Sequence, residues 1–239
     1  MKMIYFLFII IDMVICLHMH MCKDILEAIN ACKYSYDKTF FDRKLLNYSK
    51  IYNNNNVLPY SLIYDKQKIY VAIRGTRDIS NLLINLKLYQ SSYKEENIKV
   101  HSGYLETFQK LKNNISLDIN KILTKNHEQL IYTGHSLGGV IAILTYIDLQ
   151  NKYKTRQKCM TFGIPKIGNN YFIDYCDNHN HIYNYINKYD YISLYPYIYN
   201  YNRIKNIIFI ENNSNRSSFD LIYNHHIDSY YHNVQKMKG

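Results

Sequence analysis

The chain has 239 residues, of which 47% are hydrophobic and 20% are charged, as is typical of one globular domain. It contains only 8 Gly and 3 Pro, which excludes collagen-like sequences and long Gly/Ser linkers. The formal net charge is +10, but the basic residues are scattered and form no Arg-rich block, so nucleic acid is not an expected partner.

The first residues of the chain resemble a secretory signal peptide. Lys2 supplies a positive charge, and residues 4–17 form an apolar run that Asp12 interrupts. This run is too short to cross a bilayer comfortably, which favours a leader over a truncated anchor or a buried N-terminal helix. We therefore expect residues 1–22 to be a signal peptide or a short hydrophobic anchor. The protein is then in the secretory pathway or secreted, with membrane association as the alternative.

Four cysteines follow the apolar run, namely Cys22, Cys32, Cys159 and Cys176. An oxidising compartment would allow this even set to form disulfides, and the sequence leaves their pairing open. The alternative for Cys159, which lies in an apolar run, is a buried free thiol.

The elements predicted after residue 23 alternate between helix and strand. The pattern predicts a helix at 24–34, a surface loop at 53–56 and a β-hairpin made of residues 60–64 and 68–74. Strands separated by helices indicate an α/β fold with parallel strands in its later half. Further strands are predicted at 130–133, 158–162, 182–187 and 206–210, and further helices at 104–124, 137–150, 170–176 and 227–236.

Residues 133–139, with the sequence T-G-H-S-L-G-G, contain a G-x-S-x-G motif centred on Ser136. The motif lies between a predicted strand and a predicted helix, which is the setting of a nucleophile elbow. In such a turn the serine has a strained backbone, and Gly134 and Gly138 leave room for neighbouring main chain. If Ser136 only capped the helix, the three glycines in so Gly-poor a chain would have no explanation. We therefore expect Ser136 to be a nucleophile.

Four further blocks accompany the elbow. Residues 70–76 are Y-V-A-I-R-G-T, residues 100–104 are V-H-S-G-Y, residues 161–169 are T-F-G-I-P-K-I-G-N, and residues 187–196 are N-K-Y-D-Y-I-S-L-Y-P. In this order the five blocks resemble the class 3 lipase family, the fungal triacylglycerol-lipase-like branch of the α/β hydrolases, although Ser193 replaces a usual proline. The resemblance implies an α/β-hydrolase fold, with a central, mostly parallel sheet flanked by helices, in a single domain over residues 23–239.

The resemblance also implies the partners of Ser136, because α/β hydrolases carry their serine, acid and histidine in that chain order. Asp190 follows a predicted strand and is the expected acid. Residues 225–232 resemble the family ending H-x-[LI]-[DE]-x-Y-x-H, whose first histidine is catalytic, which implies His225 as the base. The histidines expected to have ordinary surface or packing roles are His226 and His232.

The same resemblance implies an oxyanion hole formed by the main-chain N–H of Leu137 and by the N–H and hydroxyl of Thr76. Residues 79–88 follow and are apolar at helical spacing. We expect them to form a lid or a wall of the acyl groove, with an ordinary core-facing helix as the alternative. The apolar residues concerned are Leu82, Leu83 and Leu86.

Together these features predict a serine carboxylic-ester hydrolase, a lipase, that cleaves acyl esters of lipids through an acyl-enzyme intermediate. We expect a lipid ester as substrate, no metal or organic cofactor, and transient contact with a membrane or lipid-droplet surface. The sequence leaves open the headgroup, the acyl chain length and the oligomeric state. The alternative is a catalytically silent, lipase-like scaffold that binds lipid or protein.

Overall fold

The computed structural model describes residues 22–39, 50–54, 58–76, 89–211 and 220–237. Its strands are β1 (Lys50–Asn54), β2 (Tyr60–Tyr64), β3 (Lys68–Ile73), β4 (Gln90–Tyr93), β5 (Glu95–His101), β6 (Gln129–His135), β7 (Arg156–Phe162), β8 (Ile182–Asn187) and β9 (Ile207–Ile210). Its helices are α1 (residues 22–36), α2 (Ser102–Ile122), α3 (Leu137–Leu149), α4 (Asn170–Asp177), α5 (Leu221–His225) and α6 (Ile227–Lys236), and a 3₁₀ turn covers Tyr191–Leu194.

The main sheet has seven strands in the order β1-β2-β3-β6-β7-β8-β9, and β4 and β5 form a separate antiparallel pair. In the main sheet β2 is antiparallel to both β1 and β3, and every pairing from β3 to β9 is parallel. This mostly parallel sheet flanked by helices confirms the predicted fold class. Because parallel strands share one carboxyl edge, the segments that follow β3, β6, β7 and β8 meet at that edge.

Helices cover both faces of the sheet. Val71 of β3 belongs to the apolar cluster that contains α2, α3 and α4, whereas Tyr70 and Ala72 belong to the cluster that contains α1 and α6. Burial on both faces explains why the parallel strands are continuous apolar runs in the sequence. The helix α3 is buried on nearly all sides, because it packs on both β6 and α2.

Charged and hydroxyl groups fix the first turns of α1 to the sheet. Glu27 Oε2 accepts from Lys68 Nζ at 3.0 Å and from the Tyr70 hydroxyl at 2.7 Å. Asp24 accepts from both Lys68 and Lys158. Burial raises the pKa of Asp24, but the bonds from these two lysines outweigh it and leave that pKa below its ordinary value. These contacts anchor α1 to β3 and β7.

Three differences from the predicted elements have physical causes. The loop prediction was wrong for Asn53 and Asn54, whose main chain pairs with β2 at the end of β1; a polar tract can form an edge strand because the ladder uses main-chain groups. The pair β4 and β5 was not predicted, because its residues are largely polar and form no apolar run. The helix α2 begins two residues earlier than predicted, because His101 Nδ1 accepts from Gly103 N–H at 3.1 Å and caps it.

Within the described parts of the chain, no helix is long and apolar enough to cross a membrane. The predicted leader at residues 1–22 lies outside the described residues except for its last position, so it stays a prediction. Cys32, Cys159 and Cys176 are buried free thiols, which agrees with the alternative given for Cys159.

Candidate active site

A sharp turn joins β6 to α3 at Ser136. This residue has φ 55° and ψ −129°, a conformation that residues with a Cβ rarely adopt. A Cβ on Gly138 would overlap the main-chain oxygen of Ile73, and a Cβ on Gly134 would lie 2.6 Å from Gly139 N. The two glycines therefore allow the start of α3 to lie directly against β3 and β6, with the strained serine at the junction.

Ser136, His225 and Asp190 form a continuous chain of hydrogen bonds. Ser136 Oγ lies 3.0 Å from His225 Nε2, and His225 Nδ1 lies 2.8 Å from Asp190 Oδ2. Because a carboxylate oxygen accepts, Nδ1 carries the proton of the neutral ring, and the lone pair of Nε2 faces the serine hydroxyl. The three residues are 1%, 0% and 4% exposed, respectively. This arrangement can remove the Ser136 proton while Asp190 stabilises the imidazolium that forms.

Asp190 follows β8 and caps the 3₁₀ turn. Its Oδ1 accepts from the N–H of Ile192 at 3.0 Å and of Ser193 at 3.2 Å, which leaves Oδ2 to accept from His225. The Ser193 hydroxyl also donates to the main-chain oxygen of Asp190 at 2.7 Å. A proline at position 193 could donate neither bond, so the departure from the usual sequence adds two donors at this turn.

Tyr230 also contacts Asp190, although the motifs assign it no role. Its hydroxyl donates to Asp190 Oδ2 at 2.5 Å and accepts from Asn187 N–H at 3.1 Å. Burial and the nearby charge of Asp190 raise the pKa of Tyr230 well above its ordinary value, so the hydroxyl stays protonated and donates. The sequence feature that could have pointed to Tyr230 is the tyrosine of the family ending at residues 225–232.

The segment that carries His225 is held by a cap and by a buried amide. Asp220 caps α5 by accepting from Tyr223 N–H at 3.0 Å. Asn187 at the end of β8 donates through Nδ2 to Asn224 O at 3.0 Å. The end of β8 therefore holds the main chain of the residue before His225, and it also leads into the turn that carries Asp190.

The two other histidines of this segment are exposed. His226 Nδ1 accepts from Asp228 N–H at 3.3 Å and caps α6. His232 lies beside Tyr231, with 5.8 Å between the ring centroids. Both positions match the ordinary roles expected of these histidines.

Comparison with known proteins identifies the family. The family model for class 3 lipases matches residues 70–200, which are more than half of the chain. This chain belongs to the class 3 lipase family. The resemblance inferred from the five sequence blocks is thereby confirmed.

Fungal lipases are similar to this chain in sequence. The chain is 34% identical over 120 residues to a lipase from Rhizopus niveus, and these residues are 47% of this chain and 31% of that protein. It is 29% identical over 112 residues to secreted mono- and diacylglycerol lipase 1 from Fusarium solani, over 46% of this chain and 33% of that protein. The chain thus spans about a third of the length of the curated relatives that it matches.

Solved lipase structures share the fold. Lipase II from Rhizopus niveus superposes with a TM-score of 0.63 at 23% identity, over 74% of this chain and 73% of that one. The triacylglyceride lipase of Rhizomucor miehei superposes with a TM-score of 0.67 at 21% identity, over 80% of this chain and 78% of that one. At such identities the likeness establishes the α/β-hydrolase fold alone.

The expected oxyanion residues lie on two chain segments that adjoin each other. Leu137 is the first residue of α3, so its N–H has no partner within the helix and lies at the positive end of the helix dipole. Thr76 is half-buried and follows Gly75, at which a Cβ would lie 2.5 Å from His135 O. The strand end before Thr76 therefore passes directly beside the elbow.

Two other expectations concern the surroundings of the site. Leu82, Leu83 and Leu86 lie outside the described residues, so the lid stays a prediction. In the ranges that the structure describes, no group of His, Cys, Asp and Glu side chains is arranged to hold a metal ion.

Proposed function

We propose that this class 3 lipase is an active serine carboxylic-ester hydrolase that cleaves acyl esters of lipids through an acyl-enzyme intermediate. The observation that carries the proposal is the unbroken chain of hydrogen bonds from Ser136 through His225 to Asp190, which starts on a nucleophile elbow. The similar proteins from Rhizopus niveus and Fusarium solani are lipases by name, which supports the same reaction class.

In the first half of the reaction, Ser136 Oγ bonds to the ester carbonyl carbon as His225 Nε2 takes the hydroxyl proton. Asp190 stabilises the imidazolium through its bond from Nδ1. The negative charge on the former carbonyl oxygen is stabilised by the N–H of Leu137 and by the N–H and hydroxyl of Thr76. When the ester C–O bond breaks, His225 gives its proton to the leaving alcohol, and the acyl group stays on Ser136.

In the second half, a water molecule replaces the alcohol. His225 takes one proton from the water as its oxygen bonds to the acyl carbon, and Ser136 leaves with that proton. The products are a fatty acid and the free enzyme. Every proton transfer in this route uses groups of the chain, the substrate or water, and the proposal includes no metal and no organic cofactor.

We also propose that the enzyme binds its substrate at a lipid surface. Exposed tyrosines and aliphatic residues lie on the two segments that carry Asp190 and His225. Tyrosine is favoured at membrane–water interfaces because one end of its ring is apolar and the other is polar. The net charge of +10 suits an anionic surface. The exposed residues are Tyr191, Tyr197, Tyr199, Leu221 and Ile222.

Two further parts of the proposal rest on sequence outside the described residues. Residues 79–88, which contain Leu82, Leu83 and Leu86, follow Thr76 and form a lid or a wall of the acyl groove. Residues 1–22 direct the chain to the secretory pathway, and the similar Fusarium solani protein is named as secreted.

The test uses p-nitrophenyl esters of increasing acyl length together with a fluorophosphonate probe, which labels activated serines. The wild type should hydrolyse the esters and become labelled, and Ser136→Ala should lose at least ~10⁴-fold in kcat. Ser116→Ala is the matched control, because Ser116 is buried on α2 and its hydroxyl lies 3.3 Å from the Tyr153 hydroxyl.

A folded wild type that takes no label, or a Ser136→Ala variant that is labelled as well as the wild type, would overturn the proposed mechanism. The first result would instead support the silent lipase-like scaffold. Ester chain-length preference, measured in the same assay, gives the size of the acyl site.

A further inference from the structure

His135, the residue before the expected nucleophile, connects the elbow to the main chain of His225. Its side chain is buried. The ring Nε2 lies 2.6 Å from His225 O, and the ring Nδ1 lies 3.0 Å from the Tyr36 hydroxyl. Neither His135 nor Tyr36 transfers a proton in the mechanism above, so these two bonds need another explanation.

The partners of the His135 ring fix its tautomer. A carbonyl oxygen can only accept, so Nε2 carries the proton and donates to His225 O. The Nδ1 atom is then unprotonated, and its lone pair accepts from the Tyr36 hydroxyl. Burial, followed by the positive charge of a protonated His225 nearby, lowers the pKa of His135 well below its ordinary value. The ring therefore stays neutral and does not compete with His225 for the Ser136 proton.

The Tyr36 hydroxyl also reaches the strand end that leads to Thr76. This hydroxyl lies directly against Gly75, because a Cβ on Gly75 would overlap it. One phenol oxygen thus packs against the expected oxyanion segment and donates to the histidine of the elbow. Through the His135 ring, the same contacts continue to the carbonyl of His225.

The His135 ring also packs against the rings that surround Asp190. Its centroid lies 4.8 Å from that of His225 and 5.4 Å from that of Tyr230. A change in the orientation of the His135 ring would therefore disturb the imidazole of His225 and the phenol that donates to Asp190.

We propose that Tyr36 and His135 are positioning residues of the hydrolase site, which act through Gly75 and His225 and touch no reacting atom. The proposal rests on the ester-hydrolase function proposed above. Tyr36 holds the His135 ring in one orientation and one tautomer, and the pair thereby fixes the main chain before Thr76 relative to the main chain of His225. The helix α1 becomes part of the site, because its first turns are anchored to β3 and β7 and its last residue is Tyr36.

The first test compares Tyr36→Phe with Tyr70→Phe in the full chain. Both substitutions remove one phenol oxygen between α1 and the sheet, but the Tyr70 hydroxyl donates to Glu27 at the other end of the helix. We expect Tyr36→Phe to lower kcat for p-nitrophenyl butyrate by ~10- to 100-fold, with KM changed less than about twofold, because misplaced groups slow the chemical step. Tyr70→Phe should lower stability and leave the kcat of the folded enzyme unchanged.

The second test examines His135 itself. His135→Gln keeps an amide N–H that can donate to His225 O, whereas His135→Leu keeps only the volume. We expect kcat to fall in the order wild type, His135→Gln, His135→Leu, with KM again nearly constant. In the wild type, long-range ¹H–¹⁵N spectra of labelled histidines should show the His135 proton on Nε2.

Three results would overturn the proposal: a His135 proton on Nδ1, a Tyr36→Phe variant with the kinetics of Tyr70→Phe, or a His135→Leu variant as active as the glutamine variant. The spectra need no turnover and no variant, so they can still refute the proposal where Tyr36→Phe fails to fold. A wild type that hydrolyses no ester would refute the proposed function, whereas an active wild type with an unaffected Tyr36→Phe variant would refute only the positioning role.

Discussion

The replacement Tyr230→Phe removes a single oxygen that makes two buried hydrogen bonds. The hydroxyl donates to Asp190 Oδ2 at 2.5 Å and accepts from Asn187 N–H at 3.1 Å. A bond to a charged group contributes ~1.5–3 kcal/mol, and a buried N–H left without a partner costs ~1–3 kcal/mol. Because phenylalanine retains the ring, little packing is lost. We therefore expect the free energy of unfolding to fall by about 2–4 kcal/mol.

The kinetic effect of Tyr230→Phe should be smaller than that of losing the nucleophile. Asp190 keeps both main-chain donors on Oδ1 and its bond from His225, so its orientation is weakened and not abolished. We expect kcat to fall by roughly 10-fold, which corresponds to about 1.4 kcal/mol in the activation free energy.

Urea unfolding and ester hydrolysis measure the two effects, with Tyr231→Phe as the control. Tyr231 is the next residue of α6, and its hydroxyl accepts from Gln235 Nε2 at 2.8 Å. We expect this control to lose ~1 kcal/mol or less, with an unchanged kcat. If the two variants had the same stability and the same kcat, the bond from Tyr230 to Asp190 would not matter, and the reasoning would be wrong.

Three further predictions concern other parts of the site and its walls. Gly138→Ala should abolish ester hydrolysis and lower the yield of folded protein, because the new Cβ would overlap the main-chain oxygen of Ile73; circular dichroism and the fluorophosphonate probe measure the two effects. Thr76→Val should lower kcat by ~10²-fold, and Thr76→Ser should recover most of it, because only the serine keeps a hydroxyl for the oxyanion. Burial lowers the pKa of His101 from 6.5 to about 4, so the unfolded chain binds a proton more readily than the folded one and stability falls as the pH drops through that interval. Between about pH 7 and pH 5, the free energy of unfolding should therefore fall by about 1 kcal/mol more in the wild type than in His101→Asn. Asparagine keeps a capping side chain and does not titrate. Urea denaturation at the two pH values measures the difference.

The fold was predictable where main-chain pairing coincided with an apolar pattern. The hairpin of β2 and β3 and the later parallel strands are short apolar runs, because the sheet buries both of its faces. The pair β4 and β5 has no such pattern, since it lies outside the main sheet and its residues are mostly polar or exposed. The strand at Asn53 and Asn54 was missed for a similar reason. An edge strand is held by hydrogen bonds between main-chain groups, and its side-chain pattern does not indicate that pairing.

The elbow was predictable because its requirements are local. A strained serine between strand and helix needs glycines at fixed offsets, and those offsets are visible in the sequence. Asp190 and His225 came from the order of residues in the family and from the blocks around them. The contacts that orient them were not predicted, although Tyr230 lies in one of those blocks, because Tyr230 and Tyr36 reach their partners 40 and 99 residues away in the chain.

The site therefore depends on two kinds of structure with different origins. The elbow is built by β6 and α3, which are adjacent in sequence and buried at the centre of the sheet. The geometry of Asp190 and His225 depends on α1 and α6, which lie in one apolar cluster and are joined by an ion pair of 3.0 Å between Lys33 and Asp228. Because Tyr36 ends α1 and Tyr230 lies on α6, the docking of these two helices on the same face of the sheet aligns the expected base and acid with the elbow. A change that loosens either helix should thus lower the rate of the chemical step even where the central sheet stays folded.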